Sequence, residues 1–241
     1  MKIFTRLLAA TFLVFLLAFQ VSEAQTLYKV TLYRAAPGNL LDLIENLQIR
    51  SGIYVDNGGD KPYIIRHSQG DQWDLMVYEH IANYKVYFTE HEKLNNIFTP
   101  SHGDDFYKQV SFHETIYADG PAYATVAQLF EKSNFFHVEM FVALAGKQNE
   151  LLSQRKMENV YLQEIGREVN LIFTINQGAH WDCFTLGGYR DIKHFAESAD
   201  IPEEIEEKAA IKAGFKGVNH ISPYLRSLID MHHDTLGGKL N

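Results

Sequence analysis

Trp73-Asp74 recurs as Trp181-Asp182, 108 residues further on, and Gln69-Gly70 recurs as Gln177-Gly178 at the same offset. Val30, Gly38, Leu43, Gly58 and Ile64 find their own kind at Val138, Gly146, Leu151, Gly166 and Ile172. These nine identities all fall within the 45 positions from 30 to 74, with no gap. Leu32 with Met140, Tyr33 with Phe141, Asp42 with Glu150 and Ile65 with Phe173 match in character. Both tryptophans of the chain sit at equivalent places. One register held over such a stretch marks a duplicated unit, so the candidate folds are those built from two like halves.

Each copy carries the same order of elements. Tyr28 to Arg34 and Phe136 to Leu144 are β-branched and aromatic runs, read as strands. Leu40, Leu43, Ile44 and Leu47 then mark one apolar helix face, and the more polar Lys147 to Ile165 is its counterpart. Second strands follow at Tyr63 to Ile65 and Leu171 to Ile175. The shared Gln-Gly turns into third strands at Trp73 to Tyr78 and Trp181 to Leu186. Tyr84, Tyr87, Phe88 and His91 have helical spacing, as do Ile192, Phe195, Ala196 and Ala199. Pro202-Glu203-Glu204 starts a further helix that Gly214 stops. Fourth strands are expected at Gln109 to Tyr117 and Phe215 to Ile221, and closing helices at Ala122 to Lys132 and Pro223 to Leu236.

Strand, helix, strand, strand, helix, strand is the ferredoxin-like unit. The expected fold class is α+β: two tandem βαββαβ repeats packed sheet to sheet as a pseudo-dimeric α+β barrel. On this element order and the Gln-Gly-x-x-Trp-Asp repeat, the chain resembles the dimeric α+β barrel superfamily, with two fused copies replacing a dimer. That superfamily includes antibiotic-biosynthesis monooxygenases, haem-degrading monooxygenases, chlorite-dismutase-like proteins and NIPSNAP-like proteins, and in general appearance the chain is most similar to the last. The resemblance implies an inter-sheet cavity for a small molecule. It names neither the cofactor nor the reaction.

Along the first strand of copy two, His137, Glu139 and Phe141 share one face, and Val138, Met140 and Val142 the other. Copy one places Lys29, Thr31 and Tyr33 on the equivalent face. A helix-covered face is expected to be uniformly aliphatic, so the mixed face is expected to line the cavity. There His137 and Glu139 make a candidate acid/base pair and Tyr33 a candidate proton donor. The alternatives are a solvent-exposed strand start for His137, a structural ion pair for Glu139 and packing for the tyrosine. His113 and Glu114 point to opposite faces of a regular strand and cannot share a ligand. The twinned tryptophans read as one packing anchor inherited twice. Under the haem alternative, the helix histidine of the chlorite-dismutase-like branch points to His232, on the closing helix, as ligand, and His220, on the fourth strand, is the other candidate. No metal site is read: the loop His102-x-Asp104-Asp105 lacks a metal motif's spacing, and adjacent helix residues His232 and His233 diverge.

With 46% hydrophobic and 22% charged residues the chain has ordinary globular composition. A formal charge of −8 weighs against nucleic acid or an anionic membrane as partner. Cys183, the single cysteine, has no internal partner for a disulfide and reads as a buried, inert thiol. Lys2 and Arg6, the apolar run Leu7 to Phe19 and Ser22-Glu23-Ala24 compose a secretory signal peptide, with an uncleaved anchor as the alternative. The expected organisation is a signal peptide over 1–24, repeat one over 25–132 and repeat two over 133–241, in an exported (periplasmic or secreted) protein. The halves then carry charges of −5 and −4.

Three functions stay open. The first is an exported NIPSNAP-like barrel binding a small molecule, with cofactor-independent oxygenase or isomerase chemistry on an apolar or aromatic compound. The second is a haem-binding barrel. The third is a structural or interaction protein with a filled barrel. Whether the protein is an enzyme, its cofactor and any homo-oligomer are left undecided at this level. Expressed with its leader in a secreting host, the protein is expected to begin at Gln25. Intact-mass spectrometry of the exported form checks this, and a retained leader refutes it.

Overall fold

The computed structural model describes residues 25–89, 92–95, 97–98 and 105–240. The leader, His91, His102 and Asp104 lie outside the described residues. The first half runs β1 (Thr26–Ala35), α1 (Leu40–Asp56), β2 (Tyr63–Gln69), β3 (Leu75–Ala82), α2 (Tyr84–Thr89), α3 (Glu92–Asn95), α4 (Asp105–Gln109) and β4 (Val110–Gly120). Helix α5 (Tyr123–Lys132) leads into the second half. That half runs β5 (Phe135–Ala143), α6 (Gln148–Glu164), β6 (Leu171–Gln177), β7 (Cys183–Tyr189), α7 (Ile192–Ala196), α8 (Glu203–Lys212), α9 (Ile221–Arg226) and β8 (Ile229–Leu240). No described helix is long and apolar enough to cross a membrane.

The eight strands close into one antiparallel barrel in the order β1-β3-β2-β8-β5-β7-β6-β4. Each half contributes the ferredoxin-like order, with its first strand between its third and fourth. Two seams join the halves, β2 to β8 and β4 to β6. Alternation then sends one face of every strand inward. Tyr28, Val30 and Leu32 meet Phe136, Val138 and Met140 in the interior, together with Tyr78, Phe173 and Phe184. Val126 and Phe130 of α5 join the same cluster, and Phe130 stacks on Tyr63 with ring centroids 4.3 Å apart. The linker helix thereby plugs one end of the barrel.

Helices α1 and α6 lie outside. Leu43, Leu47 and Tyr54 of α1 bury against Tyr33, Leu75 and Val77. The equivalent of Leu47 is Arg155, whose guanidinium is buried beside the Phe141 ring at 4.6 Å. That substitution explains why the second long helix reads as polar. The two outer faces differ further: Lys29 lies 3.3 Å from Glu79, both fully covered, while its counterpart His137 is partly open. Burial, opposed by the Lys29 ammonium, lifts the Glu79 carboxyl above its ordinary range. Cys183 is buried, and burial pushes its thiol up to about 12, as an inert cysteine requires.

The second half ends differently from expectation. Phe215 to Ile221 is not a strand; Phe215 buries against Ala210 and Ala213, and Val218–His220 is a 3-10 turn. The expected closing helix is helical only at Ile221–Arg226, and β8 takes its remaining length. Thr31 pairs with Thr115 whereas Glu139 pairs with Asp234, so the repeat offset grows from 108 to 119 at the last strand. The added residues carry α8 and the turn after it. The polar run Asp230 to Asp234 hid a strand that is paired on both sides.

The Gln-Gly turns have a specific duty. Gly178 has φ +97°, and a Cβ there would overlap the Thr115 carbonyl oxygen of β4; Gly70, at φ +117°, meets the Asp234 carbonyl oxygen of β8 in the same way. Each hairpin thus presses on the other half's last strand. Gly166 also has positive φ (+76°) but open space around it. Gly166→Ala should cost about 1 kcal/mol, from φ alone. Gly178→Ala should cost about 3 kcal/mol, because backbone must also move. Urea unfolding of both variants measures the difference, and equal costs refute the close approach.

Candidate functional site

The barrel end opposite α5 is open. A cavity of about 290 Å³ lies there between the two β-hairpins. The repeat lines it in pairs: Leu32 with Met140, Gln72 with His180 and Trp73 with Trp181. Phe112 and Glu114 come from β4, Met231 and His233 from the matching places of β8. The motif Gln-Gly-x-x-Trp-Asp builds these walls. Glycine lets each hairpin approach the opposite half, and tryptophan forms the wall. Asp74 accepts the Ala35 N–H and Asp182 the Ala143 N–H, each at 2.8 Å, which pins the end of the adjacent strand.

Both tryptophans are buried, and neither indole N–H has a hydrogen-bond partner among the described residues. An orphaned buried donor costs about 1–3 kcal/mol, and here the cost falls on two equivalent groups in the walls of one cavity. Ionisable groups surround them. His233 Nδ1 is 3.6 Å from Asp71 Oδ1, and the His180 ring stacks on Trp181 with centroids 6.1 Å apart. Burial holds the Glu114 carboxyl above its ordinary range; the His180 charge opposes this and Asp71 adds to it. Apolar walls, two free donors, two imidazoles and two carboxyls suit a compact apolar ligand with acceptor atoms, and proton transfer to or from it.

No protein-family model matches the chain, and no curated protein matches it in sequence. Solved structures match it in shape. An anthrone oxidase-like protein superposes with a TM-score of 0.62 at 8% identity, over 91% of this chain and 93% of its own. A chlorite dismutase variant from Candidatus Nitrospira defluvii does so at 0.53 and 9% identity, over 90% and 92%. The fold is the dimeric α+β barrel. In this chain both halves of that barrel lie on one polypeptide, as the repeat implied.

The barrel inverts the expected faces. Val138 and Met140, not His137 and Glu139, point inward. A closed interior is the driest surface the sheet has, so it takes the uniformly apolar face. A single helix covers only part of the outer face and leaves half-wet margins for polar groups. His137 and Glu139 do come together there. His137 Nε2 is 3.3 Å from Asp234 Oδ1, and Glu139 Oε2 accepts from Thr185 at 3.0 Å and lies 3.7 Å from Arg155. Burial disfavours the imidazolium of His137, but the Asp234 hydrogen bond and the charges of Glu139, Asp234 and Glu158 outweigh it and raise its pKa. Tyr33 is elsewhere, buried under α1 with its hydroxyl donating to the Phe98 carbonyl.

The two histidines proposed as haem ligands do not fit that role in this barrel. His220 is exposed on the 3-10 turn rather than on a strand. His232 lies on β8 rather than on a helix, stacked on Phe141, with Nε2 3.0 Å from Asp234 and Nδ1 3.1 Å from Arg226. Neither lines the mouth cavity or the groove of about 440 Å³ beside α5. His113 and Glu114 do diverge as expected: His113 stacks toward Tyr33, Glu114 enters the mouth. His180 has no place in the sequence reading, and His233 enters it only as a closing-helix neighbour of His232. His180 adjoins the repeated tryptophan, and that proximity was the available signal.

Glu114 holds its proton more tightly in the folded barrel than in the unfolded chain. Its contribution to stability therefore falls as pH rises from the ordinary carboxylate range through its folded pKa. Glu114→Gln should flatten this slope and melt higher than the parent at pH 7, with the two converging at pH 4. Thermal unfolding across pH 4–7 checks this, and parallel curves refute it.

Proposed function

We propose that the protein is an exported barrel of NIPSNAP-like type that binds an apolar or aromatic small molecule with acceptor atoms in its open mouth. The observation that carries the proposal is the pair of buried indole N–H groups in the walls of one cavity, without a hydrogen-bond partner among the described residues. A carbonyl or carboxylate oxygen seated between Trp73 and Trp181 recovers their hydrogen bonds, and Leu32, Phe112, Met140 and Met231 cover the apolar remainder. His180, His233 and Glu114 can move a proton at such a ligand, as isomerisation or cofactor-independent oxygenation of an activated carbon requires. The likeness in shape to an anthrone oxidase-like protein agrees with this chemistry. The filled barrel of the interaction reading has less support, because packing stops short of the mouth.

The chain has two tryptophans, and both line this cavity, so intrinsic fluorescence reports on it selectively. Aromatic ketones and aromatic carboxylic acids are expected to quench that emission saturably. Trp73→Phe and Trp181→Phe keep the burial but delete the donor, and each should weaken binding about tenfold, near the 1.4 kcal/mol worth of one hydrogen bond. Calorimetric titration reads the affinity and thermal melting confirms the fold. Unchanged affinity in both variants overturns the proposal.

A further inference from the structure

A second group of chemistry-bearing side chains lies on the outer face of the barrel, apart from the mouth. Alternation puts His137 and Glu139 on one side of β5, and Asp234 is the direct cross-strand neighbour of Glu139 on β8. Each of the three offers an atom within 4.8 Å of the others. The separation between His137 Nε2 and Asp234 Oδ1 is 3.3 Å. Two ligands held at roughly 2.1 Å from a tetrahedral ion stand about 3.4 Å apart. We propose that His137, Glu139 and Asp234 form a binding site for one divalent first-row transition-metal ion.

The surroundings hold these ligands in place. Thr185 and Arg155 both engage Glu139 Oε2, which leaves Oε1 to ligate. His232 Nε2 lies 3.0 Å from Asp234 Oδ2 and so orients the carboxylate whose other oxygen faces His137. The Phe195 ring meets the His137 ring edge to face, with centroids 5.5 Å apart. Such outer contacts fix first-shell ligands in established metal sites. All three ligands also stand on the paired strands β5 and β8, which hold a site more precisely than loops do.

The duplication supplies an internal control. The positions equivalent to His137, Glu139 and Asp234 in the first half are Lys29, Thr31 and Thr115, by the repeat offset and by strand register. There the Lys29 ammonium supplies the positive charge, paired with buried Glu79. The second half lacks that pair, since His137 stands opposite Gly187 where Lys29 stands opposite Glu79, and it carries an imidazole and two carboxylates there instead, with Arg155 beside Glu139. One imidazole with two carboxylates suits Zn²⁺, Fe²⁺ or Mn²⁺. Three protein ligands leave at least one coordination position open to water or another donor.

Calorimetric titration of the chelator-treated mature protein with Zn²⁺ and with Mn²⁺ tests the site. One ion is expected to bind per chain, with a raised melting temperature. His137→Ala and Asp234→Asn should each weaken binding at least about tenfold, while the mouth variant Trp181→Phe should not change it. Co²⁺ loading adds a visible ligand-field band that the same two variants remove. Asp234→Asn preserves the side-chain shape, and its circular dichroism shows that the barrel survives. Absence of saturable binding by both ions, or affinity unchanged in both ligand variants, overturns the proposal and leaves a structural ion-pair network with Arg155. Failure of the mouth reading would leave this test untouched.

Discussion

The structure depends on closure at two seams. A four-stranded ferredoxin-like sheet buries one face under its helices and leaves the other bare. Here β2 pairs with β8 and β4 with β6, and the two bare faces become one interior. The seams are unequal: β2 and β8 align over five residue pairs, β4 and β6 over three. The Gln-Gly turns work at the ends of these seams, where each hairpin lies against the backbone of the opposite half. Only Gly70 and Gly178, without Cβ atoms, allow that approach. The mouth cavity follows from it, because both tryptophan hairpins are brought to the same end.

Duplication made the framework and divergence made the chemistry. Asp74 and Asp182 perform the same backbone task at the same distance, and the tryptophans occupy the same wall. The polar positions have drifted apart. Gln72 stands against His180, Glu114 against His233 and Lys29 against His137. Leu47 stands against Arg155, which carries ionic contacts to Glu139 and Glu158 under the second long helix. A barrel made of two equal halves offers equivalent sites, and substitutions in one half break that equivalence without disturbing closure.

Much of this was legible from the repeat. The strands at Tyr28, Tyr63, Phe136 and Leu171, the helices at Leu40 and Lys147, and the linker helix at Ala122 lie where pattern and register placed them. The last strand was not legible. Ile229 to Leu240 has polar residues on its outer margin and glycines where it approaches β2, and neither resembles a strand in isolation. Reading it as a helix separated His232 and Asp234 from His137 and Glu139, their neighbours across the strand pair. Both tryptophans are packing anchors, as their recurrence implies. Their second property, an indole N–H without a partner among the described residues, depends on what surrounds a side chain and has no trace in the residue order.

By itself the sequence determined a duplicated α+β architecture, because local periodicity and a repeated register are properties of the chain. It also determined which residues alternate on each strand. Which of those faces turned inward was decided only by the tertiary structure, because closure makes the barrel interior drier than any helix-covered exterior. Val138 and Met140 therefore went in, and His137 and Glu139 went out. The meeting of Trp73 with Trp181, and of His137 with Asp234, was settled in the same way. Each pair is set by strand pairing between segments far apart in sequence, and no local pattern encodes that pairing.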